Sequence, residues 1–306
     1  MRAVVAYRGE GEGSGALLLG SALRRTTGAD LSVVAVVPRV SFTGEDRADK
    51  EYRDYLDSVV EHARASAASA LSPEDPAALD FERVTATSVA AGLAEAAARK
   101  HADVLVLGCA RDASASTFIV GSVGERLLHS SPVPLLLAPH SYSIAPDTAF
   151  SRMTCAYVAT DRSREALRAG CDLAARFGLA LRVVTFVPRA EAMYPPEVGI
   201  DVEDMVAAQF AEQAVAMHEE AVAIARELGV TDVETVVARG RGWPGALNAI
   251  PWTDEDVLVF GSSRRGQLAR VFLGSTASKI MRHTPVPVLI IPSGTARWVD
   301  RAEPPA

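Results

Sequence analysis

Cysteine is scarce in this chain: Cys109, Cys155 and Cys171 are the only three among 306 residues. Their number is odd and their spacing fits neither a disulfide framework nor a zinc site, so they read as small buried thiols in a reducing compartment. The six histidines fall singly, without an HExxH or a Cys/His cluster, which leaves no recognisable metal-ligand pattern. No apolar run approaches the roughly 20 residues of a membrane helix, and no basic-then-apolar leader precedes the first strand-like run AVVAY. The expectation is a cytoplasmic protein with no membrane partner. An excess of positive charge is missing too. With 31 basic and 38 acidic side chains the formal net charge is −7, so nothing global attracts nucleic acid. No lysine completes the GxxxxGK[ST] of a P-loop. No nucleophile–base or carboxylate pair stands at a spacing diagnostic of catalysis, and the chain reads as a binding protein, not an enzyme.

The composition that is present, 49% apolar and 23% charged, is that of a globular protein long enough for two cores. The chain also repeats itself. VLVLGCARDASASTFIVGSVGERLLHSSPVPLLLAP (104–139) recurs as VLVFGSSRRGQLARVFLGSTASKIMRHTPVPVLIIP (257–292), with a constant offset from Gly108–Gly261 to Pro139–Pro292. The earlier stretch GADLSVVAVVPR (28–39) recurs as GLALRVVTFVPR (178–189), at an offset smaller by three. Arg8 is set opposite Asp161, so three additional residues are expected in the first copy between residues 8 and 28, in the glycine-rich run RGEGEGSG. The domains are expected at 1–140 and 151–293, with a linker at 141–150 and a tail at 294–306.

Within each copy, short near-continuous apolar runs alternate with stretches of helical periodicity. That is the pattern of a doubly wound α/β sheet, and the chain holds two in tandem, each a parallel five-stranded sheet of Rossmann-like type. REALRAGCDLAARF reads as a helix ending at Gly178, and a long helix is expected from about Val202 to Leu228. The connection containing Tyr194 reads as a plain loop or as a lid. In such folds ligands bind beyond the carboxyl ends of the strands. The relevant loops follow strand one (Arg8, Asp161), strand two (Pro38, Pro188) and strand four (Gly108, Gly261).

The strand-four loop carries the clearest chemistry. Gly261 permits a close approach, Arg264 and Arg265 offer charge for phosphate, and Gly274-Ser275 opens an apolar helix whose N–H groups favour an anion. Its counterpart has Gly108, Arg111, Gly121 and Ser122. This Gly-x2-Arg-x9-Gly-Ser spacing, followed by PVPVLII and PVPLLLA, resembles the universal stress protein family over essentially the whole chain. The resemblance implies an adenine nucleotide alpha hydrolase-like fold, with ATP or another adenine nucleotide as ligand, accompanied by Mg²⁺. It also implies a pseudo-dimer formed through VPLLLAP and VPVLIIP, a homodimer, and protein partners of unknown kind. Family members that bind ATP have a second glycine where Arg264 and Arg111 stand here. An arginine there either takes over the phosphate contact or fills the site. The family's strand-one aspartate matches Asp161, which also reads as a helix N-cap. The valine of the base pocket matches Val36 in the first copy. In the second it is Phe186, which would stack on adenine or occupy its place. The second copy is expected to hold the better nucleotide site. A stress-response interaction module without nucleotide is the alternative.

Overall fold

A computed structural model describes residues 1–9, 14–39, 47–108, 122–139, 142–189, 196–264, 271–272 and 275–292. The chain divides into two compact units: the first runs from Met1 to Ala149 and takes in the stretch that ends at Val271, and the second holds the rest from Phe150 on. In unit one, strands β1 (Arg2–Ala6), β2 (Asp30–Pro38), β3 (Asp80–Ala86), β4 (Val104–Leu107) and β5 (Leu135–Leu137) lie in the order β3-β2-β1-β4-β5. Helices α1 (Ser14–Thr27), α2 (Arg47–Leu71), α3 (Val89–Arg99) and α4 (Ser122–Ser130) connect them. All pairings within this sheet are parallel.

Unit two repeats the plan. Strands β6 (Arg152–Ala156), β7 (Ala180–Arg189), β8 (Val233–Arg241), β9 (Asp256–Gly261) and β12 (Val288–Ile291) take the order β12-β9-β6-β7-β8, again parallel. Helices α5 (Asp161–Phe177), α6 (Pro196–Glu227), α7 (Gly242–Asn248) and α8 (Ser275–His283) alternate with them. Two short strands, β10 (Ser263–Arg264) and β11 (Val271–Phe272), fall between β9 and α8 in sequence. Strands β4 and β12 are buried at every position. A strand can be apolar and buried throughout only where both its faces are covered, as in a doubly wound sheet.

Sequence determines the ends of α5 locally. Thr160 caps its start, accepting from the Ser163 backbone N–H, while Gly178 ends it in the left-handed conformation at φ 66°. Helix α6 begins at Pro196, six residues before the expected start near Val202. A proline suits the first turn, where its missing N–H costs nothing. Strand β8 runs on to Arg241 because Gly240 and Arg241 stay paired with Pro188 and Arg189 of β7.

The register corrects one expectation. Arg2 pairs with Asp30, and Arg152 pairs with Ala180, so strand one and strand two keep the same spacing in both units. The helices between them end together as well, at Thr27 and Phe177. No three-residue expansion exists between residues 8 and 28 of unit one, and Arg8 corresponds to Val158, not to Asp161. The difference lies further along. Ala3 pairs with Val104 and Met153 with Val257, so unit two holds three more residues between strand two and strand four. Ser32 pairs with Asp80 and Arg182 with Glu234, so the connection that contains α6 is four residues longer than the one that contains α2, while the stretch from strand three to strand four is one shorter.

Candidate functional site

In the sheet of unit two the chain leaves β6 toward β7 and β8, then returns to lay β9 on the other side of β6. Ligands of open α/β sheets bind at the carboxyl edge of such a reversal. A cavity of about 310 Å³ occurs there. Its floor is Ala156 of β6, Val184 of β7 and Phe260 of β9, and Thr276, Ala277 and Ile280 of α8 form one wall. Phe186 and Trp243 form another, with ring centroids 6.4 Å apart and planes tilted by 54°. Gly261 and the start of α5 complete the lining, and Val158 is exposed at its rim.

The α5 end of the cavity is built by a capping box. The Thr160 N–H donates to Ser163 Oγ at 2.9 Å, and the Ser163 N–H donates to Thr160 Oγ1 at 3.3 Å. Ala159 just before it takes the left-handed region at φ 52°, a conformation that costs an alanine about 1 kcal/mol or more. The chain therefore turns sharply out of β6, aiming Thr160 and Arg162 at the cavity. Gly261 is needed for packing. A Cβ there would lie 2.7 Å from the Arg162 carbonyl oxygen, so bare backbone at the end of β9 lets the first turn of α5 approach.

Behind β6 and β7 a polar cluster ties α6 to the sheet. Thr185 donates to the Tyr157 carbonyl at 2.7 Å and lies 2.9 Å from His218 Nε2. With the hydroxyl proton committed to the carbonyl, Nε2–H is the donor in the second contact. Burial holds the His218 pKa below the usual histidine value. Arg164 grips Glu220 with Nε to Oε1 at 2.6 Å. The Tyr157 hydroxyl beside them is pushed up to about 12, first by burial and then by the Glu220 charge.

The sequence-derived site residues fare differently. Phe186 and Gly261 line the cavity. Ser275 opens α8, whose next residues form the cavity wall. Asp161 does not line it: it is the first helical residue of α5, its side chain 99% exposed and 3.2 Å from Arg164. The N-cap expected at Asp161 belongs to Thr160. Arg264 lies in strand β10, an extended conformation, so an arginine meets no backbone strain where the family has a glycine. Gly274 lies outside the described residues, as do Arg111, Gly121 and the Tyr194 connection up to Pro195. In unit one Val36 is buried against α3, where a Cβ on Gly92 would come within 2.8 Å of it. Gly108 follows β4, and Ser122 opens α4. Sequence reasoning missed Thr160, Arg162 and Trp243 as cavity residues. The signal available for the first was its place before a helix with Ser three residues on, and for the last the run GRGWPG.

The universal stress protein family model matches residues 1–139 and again 149–292. The chain belongs to the universal stress protein family. It is 37% identical over 296 residues to a universal stress protein of Mycobacterium tuberculosis, covering 95% of this chain and 100% of that protein. A universal stress protein of Mycobacterium bovis matches to the same extent. Among solved structures, a universal stress protein from Archaeoglobus fulgidus superposes with a TM-score of 0.61 at 18% identity, covering 96% of this chain and 98% of that one. A functionally unknown protein from Pseudomonas aeruginosa gives 0.54 at 15% identity, covering 96% and 93%. At such identities the two structures speak for the fold, two universal stress protein domains in tandem. Among the described residues no helix is long and apolar enough to cross a membrane.

Proposed function

We propose that this universal stress protein is a cytoplasmic stress-response regulator that binds an adenine nucleotide in unit two. The observation that carries the reading is the cavity at the β6/β9 reversal, bordered by the Gly261 end of β9 and by the first turn of α8. Its volume suits a nucleoside-sized ligand. The start of α5 already satisfies its own N–H groups through the capping box, so phosphate would lie toward the opening of α8, with Gly274, Ser275 and Arg264. A Mg²⁺ ion accompanying the nucleotide would take its ligands from phosphate oxygens and water. The reading assigns binding and no catalysis. Unit one, with Gly108, Arg111, Gly121, Ser122 and Val36, would bind more weakly.

Calorimetry with ATP, AMP and cyclic AMP tests this. Saturable binding near one equivalent, lost in Gly274→Val, supports it; no heat and no co-purified nucleotide at millimolar ligand sinks it. The exposed Asp161 side chain favours a second reading, an interaction module without nucleotide. Under that reading Asp161→Ala and Gly274→Val leave partner capture unchanged.

A further inference from the structure

The cavity of unit two carries an aromatic pair for which unit one has no equivalent. Counted from the helix caps, Trp243 is the second residue of α7 after Arg241, and Ala90 is the second residue of α3 after Ser88. The strand-two partners differ in the same sense: Phe186 pairs with Ala238 in β8, while Val36 pairs with Val84 in β3. In unit one Val36 is covered directly by α3 at Gly92. In unit two two large rings stand at these places, and a cavity of about 310 Å³ persists beside them.

The indole is also firmly placed. A Cβ on Gly240 would lie 2.0 Å from the Gly245 carbonyl carbon and 2.3 Å from the Ala246 nitrogen. Strand β8 and helix α7 therefore cross in backbone contact, and Trp243 is held between these two glycines of the sequence. Phe186 is buried at 7% exposure, whereas Trp243 is half-buried. Their 54° tilt means that Phe186 braces the indole without lying parallel on it. Among the described lining residues Arg162 alone carries a formal charge. Recognition in this part of the cavity is by ring contact more than by ion pairing.

We infer that Trp243, braced by Phe186, is a stacking platform that makes unit two selective for a planar purine ring. The inference rests on the nucleotide reading above and adds to it the residue that grips the base. Aromatic stacking on a nucleobase is typically strong enough for its loss to show as a fold-change in affinity.

The test is titration of the full chain with adenosine, AMP and ribose 5-phosphate, followed by tryptophan emission and by calorimetry. Adenosine and AMP should bind and quench emission, while ribose 5-phosphate at the same concentration does neither. Trp243→Ala should weaken adenosine and AMP roughly ten-fold or more. Trp243→Phe should stay within a few-fold of wild type while the quench disappears, since Trp252 and Trp298 remain. If Trp243→Ala binds AMP as wild type does, or ribose 5-phosphate binds as tightly as AMP, the platform is wrong and the nucleotide reading stands. If calorimetry finds no nucleotide binding by the wild type, that reading fails and takes the platform with it. Should Trp243→Ala fail to fold, the wild-type ligand series and Trp243→Phe decide.

Discussion

At the scale of single residues, glycines and caps set how closely the chain can pass itself. Gly261→Ala places a methyl 2.7 Å from the Arg162 carbonyl oxygen. Backbone cannot yield as a side chain does, so the variant should lose about 1–3 kcal/mol of stability, read as a lower denaturant midpoint. A methyl accepted there without loss would show that α5 and β9 do not touch. Thr160→Ala removes the acceptor for the Ser163 N–H and should cost about 1 kcal/mol, seen in the same unfolding curves. Gly178 was legible as a cap because its reason is local, a left-handed residue closing a helix. Gly261 was legible only as a special position. That its neighbour is the first turn of α5 depends on two segments about 100 residues apart in sequence, which no local pattern reports.

At the scale of elements, the amino edge of the unit-two sheet is tied by charges from four strands. Arg152 of β6 holds Asp256 of β9 at 2.6 Å, and Arg182 of β7 holds Glu234 of β8 at 2.9 Å. Arg182 also lies 3.7 Å from Asp256 and 5.9 Å from the centre of the Trp252 ring. Asp256 and Arg182 are almost wholly shielded from solvent. Asp256→Ala would take the carboxylate from Arg152 and leave the buried Arg182 guanidinium with Glu234 alone, and should destabilise unit two by roughly 3 kcal/mol, measured by urea unfolding. An unchanged midpoint would mean that water or Glu234 compensates. In sequence these four residues are ordinary flanks of apolar runs, because strand order, which makes them neighbours, is not written in any one of them. Alternation of strands and helices was legible, since each element's periodicity is its own. The position of the three additional residues was not, because assigning Arg8 opposite Asp161 ignored the strand pairing that sets Arg8 against Val158.

At the scale of the whole molecule, the buried titratable groups of unit two predict a bounded pH range of stability. Tyr157 is pushed from 10 to about 12, Cys171 from 9 to about 12, and Cys155 also upward, each first of all by burial. A raised folded-state pKa gives stability that is complete below the unfolded value and is lost as pH rises through the folded one. The chain should therefore weaken from about pH 9 toward 12, and Tyr157→Phe should flatten the upper part of that decline. His218 is shifted the other way, so its contribution is present above the ordinary histidine value and is lost as pH falls below it. Chemical denaturation from pH 5 to 11 should show a plateau between these limits; a stability rising steadily toward pH 11 would contradict the burial of these groups. In the binding assays, a stoichiometry of two equivalent sites would contradict the difference drawn between Val36 with Ala90 and Phe186 with Trp243.

The amino-acid sequence alone was enough for the duplication, the alternation of strands and helices, and membership of the universal stress protein family. Each of these rests on local periodicity or on glycine and proline spacing along the chain, which folding does not alter. The site needed the folded chain. Trp243 meets Phe186 because β8 and α7 cross at Gly240 and Gly245. Asp161 leaves the cavity because Thr160 and Ser163 close the capping box one residue away. Arg264 is unstrained because the chain after β9 stays extended as β10. These are contacts between segments distant in sequence or choices among competing local bonds, and they are settled by packing.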